Sequence, residues 1–259
     1  MARSIWNGVV SFGLVSIPVR LYPATSSKDI AFNELHTKCH GRLKRIRWCP
    51  VDKYEVPADE VIKGYEYTKG QYVELTDEDF ESLPIPSKHT VEVTSFVKSK
   101  EIDPVYYDSS YVLEPEEAAK KPYALFMHAL KSKEMVAVAR ITIRKKEQLC
   151  SLRPEGGNLM LETLYFADEL RVELGKELPE VKITEQEEKM AEALVDLLAG
   201  TFDAKEYKDT YREALMQVIE GKLEGKQIVT APTPEATKVT DLMEALRASV
   251  EAAKKRRAS

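Results

Sequence analysis

Cysteine is scarce in this chain, with Cys39, Cys49 and Cys150 among 259 residues. Three cysteines make no disulfide framework and are typical of a protein of the reducing cytosol. Long hydrophobic runs are also lacking, since no stretch approaches the roughly 18–20 apolar residues that span a bilayer. The opening MARSIWNGVVSFGL has one arginine and an apolar run broken by Asn7 and Gly8, which makes a poor signal peptide. We therefore expect a cytoplasmic protein with no membrane partner.

Motifs of catalysis are lacking as well. GKLEGKQ, residues 221–227, resembles a phosphate loop but lacks its spacing and the Ser or Thr after Lys. The sequence has no nucleophile elbow, no His-Glu-x-x-His and no dinucleotide fingerprint. Four histidines and scattered carboxylates could still converge in space, so an enzyme is disfavoured without being excluded. We expect no catalytic residues and no cofactor.

An excess of positive charge is lacking overall, because the net charge is -5. The charges are nevertheless segregated. Residues 38–47 contain five basic and no acidic residues, residues 131–153 contain seven basic and two acidic, and residues 171–200 contain four basic and eight acidic. Such segregation can give an acidic protein a local positive face for a polyanion. Solvated faces of mixed charge are the alternative for any single run.

The first part of the chain has the alternating pattern of β-strands. In VSIPVRLY, Ile17, Val19 and Leu21 alternate with other residues at a period of two. Further candidate strands are SIWNGVVSFG, KRIRW, QYVEL, TVEVTSFV, VYYDSSYVL, MVAVARITIR, LCSLRP and NLMLETLYF. Short strands separated by Pro, Gly, Asp and Ser predict an antiparallel barrel or sandwich over residues 1–175. One helix, at about residues 121–131, is expected to interrupt it.

The pattern becomes helical after about residue 175. Thr184 and Glu187 have the spacing of a capping box, and the apolar residues behind them predict one amphipathic helix. Asp203 and Glu206 repeat the signature for a second helix that ends at Gly221. Residues 176–224 therefore predict a helical arm.

The last part of the chain predicts a linker followed by a helix. Residues 225–238 contain two prolines, three threonines and few apolar groups, which is typical of a linker. In residues 239–259, Leu242, Leu246 and Val250 recur at i, i+4 and i+8 before a basic tail. A lone helix of this length is marginal in water, so we expect it to fold on a partner.

The stretch HTKCHGRLKRIRWCP, residues 36–50, admits a metal site. His36 and Cys39 form one possible ligand pair, and Cys49 and Asp52 form a second in which Asp stands where a cysteine is usual. Structural zinc sites are closed by four ligands, mostly Cys and His. Asp is uncommon in such sites. The sequence therefore favours a stretch without a bound metal, and a zinc site is the alternative.

The same stretch and a later strand carry rows of cations. As a strand, RLKRIRW would place Leu43, Arg45 and Arg47 on one face. MVAVARITIR would place alternate Ala and Ile residues on a core face, with Arg140 and Arg144 on the other and Lys145 and Lys146 extending the charge. Neighbours in such a row lie about 7 Å apart, close to the spacing of phosphates along a DNA strand. Phosphate contacts with little sequence preference are the expectation, and an ordinary solvated face is the alternative.

Several long segments resemble bacterial Ku proteins. These segments are SIWNGVVSFGLVSIPVRLYPAT, VIKGYEYTKGQYVELTDEDFESL, EIDPVYYDSSYVLEP, YALFMHALKSKEMVAVARITIRKKEQLCSLRP and LETLYFADELR. The similarity runs in order through most of residues 2–225, and the tail matches less well. The resemblance implies an antiparallel β-barrel core with an extended DNA-encircling bridge, followed by a helical C-terminal arm.

The family's function is implied in the same way. A nucleoid-associated homodimer would form a ring that threads onto double-stranded DNA ends, bridges and protects them, and recruits the ATP-dependent ligase D in non-homologous end joining. The implied DNA contacts are Arg45, Arg47, Arg140, Arg144, Lys145 and Lys146, followed by Lys38, Arg42, Lys44 and Arg153. The implied ligase contacts are Leu242, Leu246 and Val250, and residues 176–224 would embrace the other subunit.

Two other classes of function stay open. A non-specific DNA-architectural or single-strand-binding barrel would need aromatic side chains for base stacking, and Trp48 is available in the basic stretch. A magnesium-dependent nuclease is the third class, for which the sequence has no motif.

Overall fold

The structure is a computed structural model that describes residues 3–84, 87, 89–171, 181–225 and 242–258. By internal contacts the chain divides into two compact units, Met1–Leu174 and Gly175–Ser259. The first unit holds the strands and the second holds helices.

Seven strands of the first unit form a closed barrel, which confirms the predicted β-barrel. In spatial order they are β1 (Trp6–Phe12), β2 (Val15–Pro23), β8 (Tyr107–Pro115), β11 (Asn158–Leu164), β10 (Lys146–Glu155), β9 (Met135–Ile143) and β7 (Thr90–Lys98). Neighbouring strands pair antiparallel, except that β1 and β7 pair in parallel and close the barrel.

The period-two pattern places the apolar side chains in the barrel core. Ile17, Val19 and Leu21 of β2 are all buried, as their alternation predicted. Ile141 of β9 and Leu161 of β11 are buried in the same cluster. Burying one such side chain stabilises the fold by about 1.5–3 kcal/mol, so the barrel has a core of its own.

A helix, α2 (Lys120–Lys133), packs on the barrel near the predicted residues 121–131. Its Tyr123 hydroxyl donates to the Leu113 carbonyl oxygen at 2.6 Å and accepts from the Leu159 amide at 2.6 Å. Phe126 stacks on Phe12 with ring centroids 4.5 Å apart. These contacts attach the helix to three different strands.

Residues 24–84, between β2 and β7, are called the insertion. They contain two short hairpins and a helix: β3 (Trp48–Cys49) with β4 (Tyr54–Glu55), β5 (Lys63–Thr68) with β6 (Gln71–Leu75), and α1 (Asp77–Ser82). No residue of the insertion is buried. A two-stranded hairpin is only marginally stable by itself in water, so the insertion lacks a core of its own.

The second unit contains α3 (Glu185–Leu198), α4 (Thr210–Leu223) and α5 (Leu242–Ala258). The predicted capping box at Thr184 and Glu187 is confirmed, with the Glu187 amide donating to the Thr184 hydroxyl. The predicted start of the second helix at Asp203 is wrong. Asp203 caps a single turn of 3-10 helix, and α4 begins after its own cap at Asp209. Gly221 lies inside α4 and does not end it.

α3 and α5 pack together within this unit. The predicted linker, residues 225–238, lies outside the described residues except for Gly225. Within the described ranges, every helix is too short or too polar to cross a lipid bilayer.

Candidate nucleic-acid interface

Arg144 and Lys145 form the tip of the hairpin between β9 and β10. The register pairs Ile143 with Lys146, so the loop has only these two residues. Both have positive φ, 53° and 68°, as a two-residue turn of the I′ type requires. Glycine or asparagine is the usual choice there, and a larger side chain costs about 1–2 kcal/mol per residue. The turn thus contains two cationic residues at positions where the backbone conformation favours glycine or asparagine.

The predicted cationic row on β9 is partly wrong. The apolar side is confirmed, because Ala137, Ala139 and Ile141 are buried. Arg144, however, lies in the turn beyond the strand. Thr142, on the supposed outer face, is buried, and its hydroxyl shares a 2.7 Å hydrogen bond with that of Ser87. Ser87, which is itself buried, covers this part of the strand.

Lys145 ties the hairpin tip to the insertion. Its Nζ donates to Asp77 Oδ1 of α1 at 2.7 Å and lies 5.9 Å from the centroid of the Phe80 ring. Lys63 Nζ of β5 lies 4.5 Å from the same centroid. The hydrogen bond raises the pKa of Lys145 and lowers the pKa of Asp77. Both groups stay charged at neutral pH.

Lys146, at the start of β10, is paired in the same manner. Its Nζ donates to Glu169 Oε1 at 2.8 Å. This hydrogen bond raises the pKa of Lys146 and lowers that of Glu169. The second carboxylate oxygen of Glu169 accepts from the Phe166 amide at 3.0 Å, so Glu169 also caps a turn.

Two of the predicted arginines are paired with carboxylates of the barrel. Arg153 donates to Glu155 at 2.6 Å and to Glu162 at 2.8 Å. Burial works to lower the pKa of Arg153, and the bonds to the two carboxylates outweigh it and raise the pKa. Arg140 lies 3.7 Å from Glu147, which also accepts from Ser87. Arg153 is therefore part of the folded barrel.

The cations of the insertion are more accessible. The predicted strand KRIRW is wrong, because residues 43–47 have no ladder partner and β3 begins only at Trp48. The ladders of the insertion lie in its two hairpins, and this segment has single backbone bonds instead, from the Leu43 amide to Glu34 and from the Val56 amide to Arg47. Arg45 pairs with Glu34 at 2.6 Å. Within the described ranges, the side chains of the other predicted cations form no hydrogen bond or ion pair; they are Lys38, Arg42, Lys44, Arg47 and, on the barrel, Arg144.

The four possible metal ligands form two separate pairs. His36 Nδ1 lies 3.1 Å from Cys39 Sγ, and Cys49 Sγ donates to Asp52 Oδ2 at 3.2 Å. Among the described residues, no three His, Cys, Asp or Glu side chains come together as a metal site. Two ligands at each place do not make the four-ligand shell of structural zinc, so these residues do not fit the metal in this arrangement.

The predicted partner contacts of the last helix differ in exposure. Leu242 is exposed, whereas Leu246 and Val250 are half-buried. Leu242 and Leu246 line a groove of about 890 Å³ together with apolar residues of α3 and the segment before it, such as Val181 and Val195. Part of this predicted surface is thus in use within the second unit.

Sequence patterns missed the carboxylates that pair with the cations, and also Lys63. Asp77 lies 68 positions from Lys145 in the chain, and Glu169 lies 23 positions from Lys146. Asp77 could be interpreted only as an acidic residue in the first turn of a helix, as the structure has it. Strand β5, which holds Lys63, was missed because both of its faces are exposed and polar residues interrupt its pattern.

Comparison with known families gives a match to a family model. The model, described as the Ku70/Ku80 beta-barrel domain, matches residues 11–193, which is more than half of the chain. The match includes the end of β1, the other six strands of the barrel, the insertion and most of α3.

Relatives match over nearly the whole chain. The Non-homologous end joining protein Ku of Symbiobacterium thermophilum is 44% identical over 260 residues, covering 99% of this chain and 65% of that protein. Its namesake in Desulfitobacterium hafniense is 42% identical, covering 96% of this chain and 87% of that protein. That of Archaeoglobus fulgidus is 40% identical, covering 97% and 100%. The chain thus spans 65% of the length of the Symbiobacterium protein.

Among solved structures, the SPOC domain of human PHD-finger protein 3 matches with a TM-score of 0.30 and 12% identity, covering 62% of this chain and 95% of that one. This likeness is too slight to carry an argument.

Proposed function

The chain belongs to the Ku family, and on that premise we propose that it binds the ends of broken double-stranded DNA in non-homologous end joining. The observation that carries this proposal is the insertion, which has no buried residue between positions 24 and 84. Its cations Arg42, Lys44 and Arg47 have exposed side chains with no ion pair in the described part of the chain. A segment without a core that displays unpaired cations is suited to lie along a polyanion.

The proposed contacts are to phosphates rather than to bases. Arg47 and Arg144 are the leading candidates, because both are exposed and unpaired among the described residues. Arg144 also lies at the tip of a hairpin, in a conformation that costs energy; such strain is found most often at functional sites. Phosphate contacts carry no sequence information, so binding should be independent of sequence, as a protein that meets any broken end requires.

We propose that two copies of the chain close a ring around the duplex. The insertion exposes large apolar side chains, among them Leu43, Trp48, Tyr65 and Tyr72. Exposed apolar surface of this extent is typical of an interaction site, and a second copy would cover part of it. A ring that threads onto an end is retained by topology and so needs little affinity for any one phosphate.

This proposal assigns a separate role to each segment of the chain. Residues 1–175 would form the barrel and the bridge over DNA, and residues 176–224 the arm that holds the other subunit. Residues 225–238 would link them to residues 239–259, where α5 recruits ligase D through Leu242, Leu246 and Val250. Because Leu246 and Val250 are half-buried, ligase binding would have to share or displace their present packing. The protein would hold DNA ends in the cytoplasm, at the nucleoid, without catalysing a reaction.

Competition between free and blocked DNA ends tests the proposed function. The labelled probe is a duplex with one free end and one hairpin-closed end. An unlabelled duplex with a free end should displace the protein, and the same duplex with both ends closed should not. If six to ten phosphates are neutralised, log K should fall against log salt with a slope of about -5 to -9. Equal displacement by both competitors would refute end binding.

A second candidate, single-strand binding, is favoured by the aromatic side chains of the insertion. Trp48, Tyr65 and Tyr72 are exposed, and base stacking on such side chains holds single strands. A single-stranded competitor in the same assay separates the two functions. Tighter binding to the single strand than to the free-ended duplex would favour the second candidate.

A further inference from the structure

Half of the predicted DNA-contacting cations are already paired with a carboxylate in the protein without DNA. The pairs are Arg45–Glu34, Arg140–Glu147, Lys145–Asp77, Lys146–Glu169 and Arg153 with Glu155 and Glu162. A carboxylate and a phosphate offer the same kind of acceptor to an ammonium or guanidinium group. Each of these carboxylates therefore uses a cation that could also bind a phosphate.

These pairs differ in exposure, and Arg140–Glu147 is intermediate, with 29% of the Glu147 side chain exposed. Glu162, which holds Arg153, keeps only 9% of its side chain exposed. Glu34, Asp77 and Glu169 keep 59%, 75% and 34% exposed, and their cations are more than half exposed as well. A solvent-exposed ion pair adds little to stability and is broken at small cost. The exposed pairs are therefore open to exchange with a phosphate, and the Arg153 pair is not.

The exposed carboxylates have little structural work of their own. α1 is capped by Thr76 and Asp79, whose side chains and amides form a capping box without Asp77. Glu34 lies in a part of the insertion without regular secondary structure. Glu169 differs, since it also accepts from the Phe166 amide. For Asp77 and Glu34, the pairing with a cation is the main contact of the side chain.

From these observations we propose that Glu34, Asp77 and Glu169 are counter-charges that compete with DNA phosphates for Arg45, Lys145 and Lys146. This inference rests on the proposed function and deepens it. In the free protein each carboxylate is paired with its cation. When the protein binds DNA, the cation exchanges the carboxylate for a phosphate. The exchange lowers the net gain of each contact. A ring retained by topology tolerates such weak contacts, and they let it move along the duplex without adhering at one place.

The test compares Asp77→Asn with Glu78→Gln in the full chain. Glu78 lies next to Asp77 in the first turn of α1, and in the described part of the chain it makes no ion pair. Both variants remove one negative charge from the first turn of α1, but only Asp77→Asn removes the carboxylate to which Lys145 donates. The probe is the duplex with one free and one hairpin-closed end, and thermal unfolding verifies that both variants fold as the parent does.

Asp77→Asn should bind the free-ended duplex about two- to fivefold more tightly, the range that an exposed ion pair supports. Glu78→Gln should change affinity by less than about 1.5-fold, because the remaining charge effect is screened at physiological salt. The salt slope of Asp77→Asn should be steeper by up to about 0.9, since the cation no longer regains a carboxylate when DNA leaves. The gain should vanish when Asp77→Asn is made in a Lys145→Ala background, which isolates the pair.

Three results would overturn the inference: weaker binding by Asp77→Asn, equal binding by Asp77→Asn and Glu78→Gln, or a gain that persists without Lys145. Weaker binding would mean that Asp77 positions Lys145 for DNA rather than competing for it. Failure of the proposed function has a different signature. In that case the unaltered protein would bind the probe no better than a duplex with both ends closed.

Discussion

The barrel and the insertion belong to one compact unit of the chain but are built in opposite ways. The barrel buries a continuous apolar cluster that includes Ile17, Leu113 and Leu161, whereas the insertion buries no residue. The barrel therefore carries its stability within itself. The insertion has its apolar and cationic side chains directed to solvent, and in our account it is completed by what it binds.

The barrel and the insertion also differ in how their cations are paired. Arg153 of the barrel is held by two carboxylates, one of them nearly buried. Arg47 of the insertion has no ion pair among the described residues. A cation that the fold uses and a cation that the fold leaves free can thus be told apart by exposure and pairing, although both are arginines in basic stretches of sequence.

Thiol chemistry gives the largest expected contrast between the two regions. Cys150 is buried in the barrel, and burial raises the pKa of its thiol. Cys39 is exposed and Cys49 half-buried in the insertion. Titration with an aromatic disulfide reagent should modify two thiols per folded chain. Cys150 should react slower by about three orders of magnitude or more, because the barrel must first open at a cost of about 5 kcal/mol or above.

Mass spectrometry of the labelled peptides assigns the reacting cysteines. Labelling of Cys150 at the rate of Cys39 would show that the barrel is not the more protected region.

Core truncation sharpens the comparison at the level of stability. Leu161→Ala in the barrel should lower the free energy of unfolding by about 2–5 kcal/mol, since it leaves a cavity. Leu43→Ala, the same change at an exposed position of the insertion, should lower it by less than about 0.5 kcal/mol. Urea unfolding followed by circular dichroism measures both. Similar losses for the two variants would mean that the insertion has a packed core after all.

Arginine truncation separates the two kinds of cation. Arg153→Ala leaves Glu162 without this partner in the barrel and should cost about 1–3 kcal/mol of stability. Arg144→Ala should leave stability within about 0.5 kcal/mol. It should weaken binding to a free-ended duplex and reduce the salt slope by about 0.9, the loss of one phosphate contact. If Arg153→Ala kept its stability but bound DNA weakly, Arg153 would be a DNA contact rather than a structural residue of the barrel, which would contradict this distinction between the two arginines.

The barrel is the part that sequence patterns predicted well, because its strands bury one face within the chain. Alternation in VSIPVRLY predicted the buried face of β2. In the second unit the Thr184 capping box could be predicted too, because it is a local contact between residues three apart. Both signals depend only on neighbours in sequence, so they survive without knowledge of the tertiary structure.

The insertion could not be predicted in this way. KRIRW has the composition of a strand, but a strand forms only where another backbone pairs with it in a continuous ladder, and residues 43–47 are in no ladder. The pairing of Lys145 with Asp77 joins residues 68 positions apart. The positive φ of Arg144 and Lys145 runs against their residue types. These features follow from tertiary contacts and from the tight β9–β10 turn rather than from local preference.

Hydrogen–deuterium exchange on the full chain, alone and with a free-ended duplex, tests the central claim most directly. If DNA lies along the insertion, amides of residues 36–62 and of the β9–β10 tip should exchange more slowly with the free-ended duplex. They should not change with a duplex closed at both ends, and the buried amides of β2 and β11 should stay the same in all samples. Protection confined to other parts of the chain, with residues 36–62 unchanged, would contradict the account.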